Sequence, residues 1–245
     1  MMIALSILEY EPDLSAHVDN IVESEALSKI LSLVDTGRIH RVHIDVMRPP
    51  MIPDKTKFSV VLICRLYSAL QGRIPLVAHL MVQEPFPIIE EMNKFIAKEN
   101  RAGMTIIMQK ESFRSEEETI KALDSLREQG YRAGICLNLP TPGRILTRKI
   151  VEKADTVLLM SVPMGKGGQE YSEAATKKIA RFSKEHPDKT LEVDGGIDPQ
   201  TIIKAMRAGA AMVVVGSFIT RNEDPGQAVL ELERSLKDEA SRIDR

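Results

Sequence analysis

The chain has 245 residues, with 33 basic and 35 acidic side chains and a net charge of -2. This balance provides no field suited to nucleic acid or to an anionic membrane surface. No apolar run is long enough to cross a bilayer and no signal peptide is recognisable, so a cytoplasmic protein is expected. Two isolated cysteines, Cys64 and Cys136, lack CxxC spacing, which indicates buried thiols rather than a disulfide framework.

Short apolar runs alternate with amphipathic, charged runs along the chain, as in parallel strands joined by helices. Strands are predicted at residues 2–8, 40–46, 74–80, 104–108, 132–137, 155–160, 190–194 and 211–215. Helices are predicted between them, most clearly at residues 87–100, 115–130, 199–209 and 225–242. Eight strand–helix units in a chain of about 250 residues predict an α/β fold, a single (β/α)8 TIM barrel spanning residues 1–245.

Metal-type ligands lie at the ends of three predicted strands. His43 and Asp45 occur in RVHIDVM, His79 in PLVAHLM and Asp194 in LEVDGGI. The spacing of two places His43 and Asp45 on the same face of their strand. Barrel enzymes build their active sites at the carboxyl ends of the strands, so the four side chains are expected to meet there. They predict a divalent metal site, the alternative being an unmetallated network of polar groups.

Glycine-rich turns follow the last three predicted strands. They are Gly165 to Gly168 within MGKGGQ, the pair Gly195-Gly196, and Gly216-Ser217. Glycine lets the backbone approach an anion closely, and helix N-termini offer unpaired N–H groups. Phosphate sites of barrel enzymes often use the loops after strands seven and eight. Together the turns predict a small phosphorylated substrate, although tight-turn geometry alone is the alternative for each pair.

A set of motifs extends from one end of the chain to the other. They are SIL at 6–8, HIDVM at 43–47, IPD with Thr56, HLMV with EP at 79–85, GICLNLPTP at 134–142, LLMSV with MGKGGQ at 158–169, EVDGGI at 192–197 and VVGS at 214–217. As a set they resemble the ribulose-phosphate 3-epimerase family, of the ribulose-phosphate-binding barrel superfamily. The resemblance covers nearly the whole chain.

The resemblance implies a role for each matching residue. Asp45 and Asp194 would be the two acid/base groups. The metal ligands would be His43, Asp45, His79 and Asp194. The ion is expected to be zinc, with iron, manganese or cobalt as alternatives that such a mixed site accepts. The substrate contacts would be Ser6, His79, Met47, Met81, Met160, the lid residues Gly165, Lys166, Gly167 and Gly168, and the phosphate-binding Gly195, Gly196, Gly216 and Ser217.

The implied activity is a metal-dependent 3-epimerase that interconverts D-ribulose 5-phosphate and D-xylulose 5-phosphate in pentose phosphate metabolism. Inverting carbon 3 removes a proton next to a carbonyl and returns one to the opposite face, which two carboxylates can do through a metal-stabilised enediolate. The alternatives are a D-allulose 6-phosphate 3-epimerase and a catalytically silent sugar-phosphate-binding barrel. Decarboxylases and synthases of the same superfamily typically carry an Asp-x-Lys motif. In this chain Met47 stands at the lysine position after Asp45, which counts against that activity. A homo-oligomer, dimer or hexamer, is also implied.

Two loops and one strand end depart from the family pattern and leave the choice between pentulose and hexulose open. MDGHFVPN becomes MRPPMIPD, in a three-proline stretch, residues 47–57, that is predicted to be a loop over one end of the barrel. Arg48 in this loop could contact substrate or face solvent, and solvent is preferred. SVNPGFGGQ becomes SVPMGKGGQ, which introduces Lys166. A usual histidine is missing from MTIIMQKES, residues 104–112.

Overall fold

The computed structural model describes residues 1–243 as a closed barrel of eight parallel strands, each paired with its neighbours in the chain and β8 paired with β1. The strands are β1 (Met2–Ser6), β2 (Arg41–Met47), β3 (Leu76–Met81), β4 (Met104–Gln109), β5 (Arg132–Leu137), β6 (Thr156–Met160), β7 (Leu191–Asp194) and β8 (Met212–Val215). The predicted (β/α)8 fold is confirmed, and each strand boundary lies within two residues of its prediction.

Helices surround the barrel. They are α1 (Glu11–Ala16), α2 (Glu25–Asp35), α3 (Val60–Leu70), α4 (Phe86–Met92), α5 (Glu116–Glu128), α6 (Arg148–Lys153), α7 (Glu173–Glu185), α8 (Thr201–Arg207), α9 (Ser217–Thr220) and α10 (Pro225–Ile243). Side-chain hydroxyls cap several N-termini; Ser115, for example, accepts a hydrogen bond from the Glu118 N–H. Within residues 1–243, none of the helices combines the length and apolar character needed to span a membrane.

The helix predicted over residues 87–100 is shorter than expected. The helix α4 ends at Met92, and a 3-10 helix at Lys98–Gly103 leads into β4. The guanidinium of Arg101 donates hydrogen bonds to the carbonyls of Asn93, Ile96 and Gln129. A side chain with five donors thus pairs the Asn93 and Ile96 carbonyls, which a continuing helix would have paired with its own N–H groups, and also binds the Gln129 carbonyl at the end of α5. The amphipathic pattern alone carried no sign of this competition.

Side chains alternate along each strand between two buried regions, one between the barrel and the helices and one inside the barrel. The candidate site residues point into the barrel. On β2, Val42, Ile44 and Val46 pack against the helices, whereas His43 and Asp45 point into the barrel. The barrel interior is filled by Ala4, Val77, Ile107, Cys136, Leu158, Met160, Val162, Met212 and Val214. Both cysteines are buried and unpaired, as predicted.

A further carboxylate, Glu192, lies deeper in the barrel than the two carboxylates among the predicted ligands. Glu192 is fully buried on β7, where it accepts a 2.8 Å hydrogen bond from the Thr156 hydroxyl. Arg41, at the start of β2, forms an ion pair with the same carboxylate. Because an unpaired buried charge is strongly unfavourable, this ion pair allows the lower barrel to tolerate Glu192 without a metal ion.

Candidate active site

All four predicted metal ligands converge at the carboxyl end of the barrel. His43 and Asp45 lie on β2, His79 on β3 and Asp194 at the end of β7. One candidate ligand atom from each side chain lies within 4.8 Å of the others. His43 Nε2 and His79 Nδ1 are each 3.3 Å from the same atom, Oδ1 of Asp45. The register of β2 and β3 explains this proximity, because it sets Asp45 directly beside His79.

Three imidazole nitrogens of the two histidines have no hydrogen-bond partner. His43 Nδ1 and Nε2 and His79 Nδ1 are buried and unpaired, and both side chains are fully buried. Leaving one buried polar atom unpaired costs about 1–3 kcal/mol, so the arrangement would be unfavourable for a purely structural network. Two imidazoles and two carboxylates are donors that zinc, iron or manganese accepts. The residues therefore fit a divalent metal ion.

The two carboxylates of the site have opposite pKa shifts. Burial acts to raise the pKa of Asp45, but the imidazoles of His43 and His79 outweigh it and hold the pKa well below its usual range. Burial and the charge of Asp45 raise the pKa of Asp194 to about 7. Burial lowers the pKa of His79; for His43 the carboxylates of Asp45 and Asp194 outweigh burial and raise it. Carboxylates with separated pKa values can serve as an acid and a base.

Ser6 and three methionines complete the wall around the carboxylates. The Ser6 hydroxyl, at the end of β1, donates a 2.8 Å hydrogen bond to Asp45 Oδ2. Met47, Met81 and Met160 line the same cavity, of about 60 Å³. Their thioethers provide a polarizable apolar surface beside the polar cluster. The structure thus places all four residues at the cavity, with Ser6 orienting a carboxylate as well as lining the wall.

The predicted phosphate turns form another part of this cavity wall. Gly195, Gly196, Gly216 and Ser217 all line it. Gly195 and Gly196 have φ values of 119° and 64°, which side chains other than glycine rarely adopt. A Cβ atom on Gly196 would lie 2.3 Å from the backbone nitrogen of Tyr171, so the turn packs tightly against the chain that follows the lid. The backbone here can approach a bound anion without obstruction by side chains.

Residues 163–169, the lid, fold over the cavity and contact the loop at 47–57. The Lys55 ammonium donates a 2.5 Å hydrogen bond to the Gly165 carbonyl, and a Cβ atom on Gly165 would lie 2.9 Å from Ile52. Gln169 closes the lid on itself by donating to the carbonyls of Pro163 and Lys166, both at 2.7 Å. Lys166 is exposed and, with Gly165, Gly167 and Gly168, lines the cavity. The predicted loop position is therefore confirmed.

Arg48 does not face solvent, so the preferred interpretation of this residue was wrong. Its guanidinium donates to the carbonyls of Met47 at 2.7 Å, Lys57 at 2.5 Å and Phe58 at 2.7 Å, and the side chain is half-buried. A planar group with five donors can satisfy several loop carbonyls at once. Arg48 therefore joins the two ends of the proline-rich loop, and it is not among the residues that line the cavity.

Sequence reasoning missed two side chains at the site. Gln109, the last residue of β4, brings its amide nitrogen to 2.8 Å from His79 Nε2. Glu9 lines the cavity and accepts two hydrogen bonds from Arg221, at 3.0 and 2.8 Å. The missing histidine near the end of β4 could have directed attention to Gln109. Glu9 follows the SIL motif directly, which was the available signal for it.

A closed parallel barrel with a histidine and carboxylate cluster and glycine turns at its carboxyl end defines a barrel enzyme with a candidate metal site. The chain belongs to the ribulose-phosphate 3-epimerase family, whose model matches residues 20–220. It is 30% identical over 218 residues to the ribulose-phosphate 3-epimerase of Bacillus subtilis (strain 168), covering 86% of this chain and 93% of that protein. The ribulose-phosphate 3-epimerase of Aquifex aeolicus (strain VF5) is 32% identical over 190 residues, 75% of this chain and 78% of that protein.

A solved structure supports the fold independently of sequence. The 3-hexulose-6-phosphate synthase from Salmonella typhimurium matches with a TM-score of 0.65 at 16% identity, covering 97% of this chain and 99% of that one. At this identity the likeness extends to the fold alone. The resemblance predicted from the motifs is thus confirmed by the family match, as is the assignment of the chain to an isomerase family.

Proposed function

We propose that the protein is a divalent-metal-dependent epimerase that interconverts D-ribulose 5-phosphate and D-xylulose 5-phosphate in pentose phosphate metabolism. One observation carries this proposal above the others. Asp45 and Asp194, on strands that β1 and β8 separate in the barrel, reach one ligand cluster while their pKa values are driven apart. An epimerase needs this pair, because one group must take a proton from carbon 3 while another returns a proton to the opposite face.

In the proposed reaction, Asp45 and Asp194 exchange the roles of acid and base between the forward and reverse directions. A bound divalent ion, held by both carboxylates with His43 and His79, would supply positive charge next to the developing enediolate. Ser6 keeps the Asp45 carboxylate oriented through its 2.8 Å hydrogen bond. The apolar methionine wall limits the access of water, which protects a reactive carbanion from side reactions.

The phosphate end of the substrate is assigned to the glycine turns. Backbone N–H groups of Gly195, Gly196, Gly216 and Ser217 would bind the phosphate oxygens, as backbone nests and turns do for anions. The lid glycines would cover the sugar, and the exposed Lys166 ammonium would add a positive charge to that cover. The lid residues line the cavity of about 60 Å³, and movement of the lid would admit the substrate and cover it, as active-site loops do in many enzymes.

The decisive experiment is an epimerase assay of purified protein, metal-free and after loading with Zn²⁺, Fe²⁺, Mn²⁺ or Co²⁺. We expect turnover of D-ribulose 5-phosphate only after loading with metal. The alternative substrate, D-allulose 6-phosphate, is tested separately in a parallel assay. Faster turnover of the hexulose phosphate would replace the substrate assignment and keep the chemistry. Protein that carries metal but converts neither compound would overturn the proposal and favour a silent sugar-phosphate-binding barrel.

We also propose that the enzyme is a homo-oligomer that acts in the cytoplasm. Two unpaired, buried thiols suit a reducing compartment. Val22, Val61 and Phe95 are large apolar side chains that remain exposed on the single chain, and contacts between copies could cover them. Light scattering coupled to size-exclusion chromatography tests the assembly, and a monomeric mass at micromolar concentration would contradict it.

A further inference from the structure

Gln109 is fully buried at the carboxyl end of β4, beside one of the proposed ligands. Its amide nitrogen lies 2.8 Å from His79 Nε2 and donates a 3.4 Å hydrogen bond to the Cys136 sulfur. Its carbonyl oxygen, Oε1, is buried without any partner. A buried amide that leaves its strong acceptor unpaired is uncommon and calls for an explanation.

The nitrogen on the opposite edge of the His79 ring suggests why the Gln109 amide is placed here. The ring presents Nδ1 to Asp45 Oδ1 at 3.3 Å, and this nitrogen has no hydrogen bond. A neutral imidazole carries one proton, so Nδ1 offers a lone pair only when the proton is on Nε2. A proton on Nε2 needs an acceptor, and the neighbouring group that the structure provides is the Gln109 amide.

Rotating the Gln109 amide by half a turn exchanges its oxygen and nitrogen with almost no change in shape. The oxygen then faces both His79 Nε2 and the Cys136 thiol, whose S–H is a weak donor. In this orientation the oxygen accepts from both neighbouring donors, and the amide N–H groups take the position in which the oxygen had no partner. The same side chain can therefore pair with either tautomer of the ring.

We propose that Gln109 is a positioning residue for the metal site: its Oε1 accepts a hydrogen bond from Nε2–H of His79 and so leaves Nδ1 free to bind a divalent ion. This inference rests on the proposed metal-dependent function. A hydrogen-bond acceptor behind a histidine ligand fixes the ring and raises its basicity. Gln109 touches neither substrate nor ion in this role and acts through His79.

The test is the Zn²⁺ affinity of three variants, measured by competition with a chromogenic chelator. Gln109→Leu removes the acceptor at similar volume, and we expect about 10–100-fold weaker binding. Gln109→Glu keeps an acceptor but cannot donate through an amide, and we expect affinity at least equal to that of the wild type. Thr105→Val is the matched control, because it removes a buried hydroxyl inside the barrel on the same strand, and its affinity should not change.

Wild-type affinity in Gln109→Leu, or a loss in Gln109→Glu equal to that in Gln109→Leu, would overturn the inference and leave the proposed function standing. A wild-type protein that binds no divalent ion would overturn both. A spectrum of the wild-type protein gives an answer that does not depend on how the variants fold. Proton–nitrogen correlation of the zinc-loaded protein should show His79 protonated at Nε2, and a proton on Nδ1 would contradict the proposal.

Discussion

The Ser6 hydroxyl donates a 2.8 Å hydrogen bond to Oδ2 of Asp45 across the pairing of β1 with β2. The other oxygen of this carboxylate, Oδ1, faces the imidazoles of His43 and His79 at 3.3 Å each. Both oxygens of Asp45 therefore have fixed neighbours before any ligand binds. A carboxylate held in this way is already oriented for proton transfer, which links the end of β1 to the proposed chemistry.

Ser6→Ala should weaken catalysis without removing it. The substitution leaves Oδ2 of Asp45 without its donor, and losing a hydrogen bond to a charged group costs about 1.5–3 kcal/mol. We therefore expect kcat/KM to fall by roughly 10–100-fold. Ser112→Ala is the control, because its hydroxyl makes a hydrogen bond of the same length, 2.8 Å, to the carbonyl of Val82 away from the carboxylates. Equal effects of the two variants would refute the role of Ser6.

Asp45→Asn and Asp194→Asn should each abolish measurable epimerisation while preserving the fold. General acid–base catalysis contributes about 100–10,000-fold, and both residues are also proposed ligands, so the losses should be at least of this size. Activity is measured with D-ribulose 5-phosphate and the fold by circular dichroism. The control is Asp188→Asn, an exposed carboxylate outside the site. If either site variant kept near-wild-type activity, its acid/base assignment would be incorrect.

Much of this site could be predicted because its parts are local in sequence. The two-residue spacing of His43 and Asp45 sets their common face, and apolar runs mark the strand that carries them. Arg48 was misjudged because its partners include the carbonyl of Phe58, ten residues away along an irregular loop. The pairing of Glu9 with Arg221 joins positions 212 apart in the chain, and no periodic pattern encodes such a contact.

Asp194 should make the metal-free protein less stable as the pH rises. Its pKa is raised from 3.8 to about 7 in the folded state, so folding favours the neutral acid and this contribution is lost as the pH increases through that range. Asp194→Asn removes the ionisable group. With a chelator at pH 8 we expect the variant to be about 2 kcal/mol more stable than the wild type, roughly half of the full shift because the side chain is partly exposed.

The measurement for Asp194 is urea unfolding of both proteins in chelator between pH 4 and pH 8. The advantage of the variant should be small at pH 4, close to the ordinary carboxyl pKa of 3.8, and should grow as the pH rises towards about 7. A difference in unfolding free energy that stays constant over this range would mean that ionisation of Asp194 does not contribute. Adding Zn²⁺ should reverse the order at pH 8, because only the wild type keeps four ligands.

Lys55 should hold the lid over the cavity. Its ammonium donates to the Gly165 carbonyl at 2.5 Å, and this hydrogen bond joins the loop at 47–57 to the lid at 163–169. Lys55→Ala removes it at a cost of about 1 kcal/mol, so we expect KM to rise about fivefold and proteolysis within the lid to become faster. The matched control is Lys189→Ala, which removes a lysine–carbonyl hydrogen bond of 2.6 Å to Ala154 at the opposite end of the barrel. Because Lys189 lies far from the lid, KM and lid cleavage should change only in Lys55→Ala, and parallel changes in both variants would indicate general loosening of the fold.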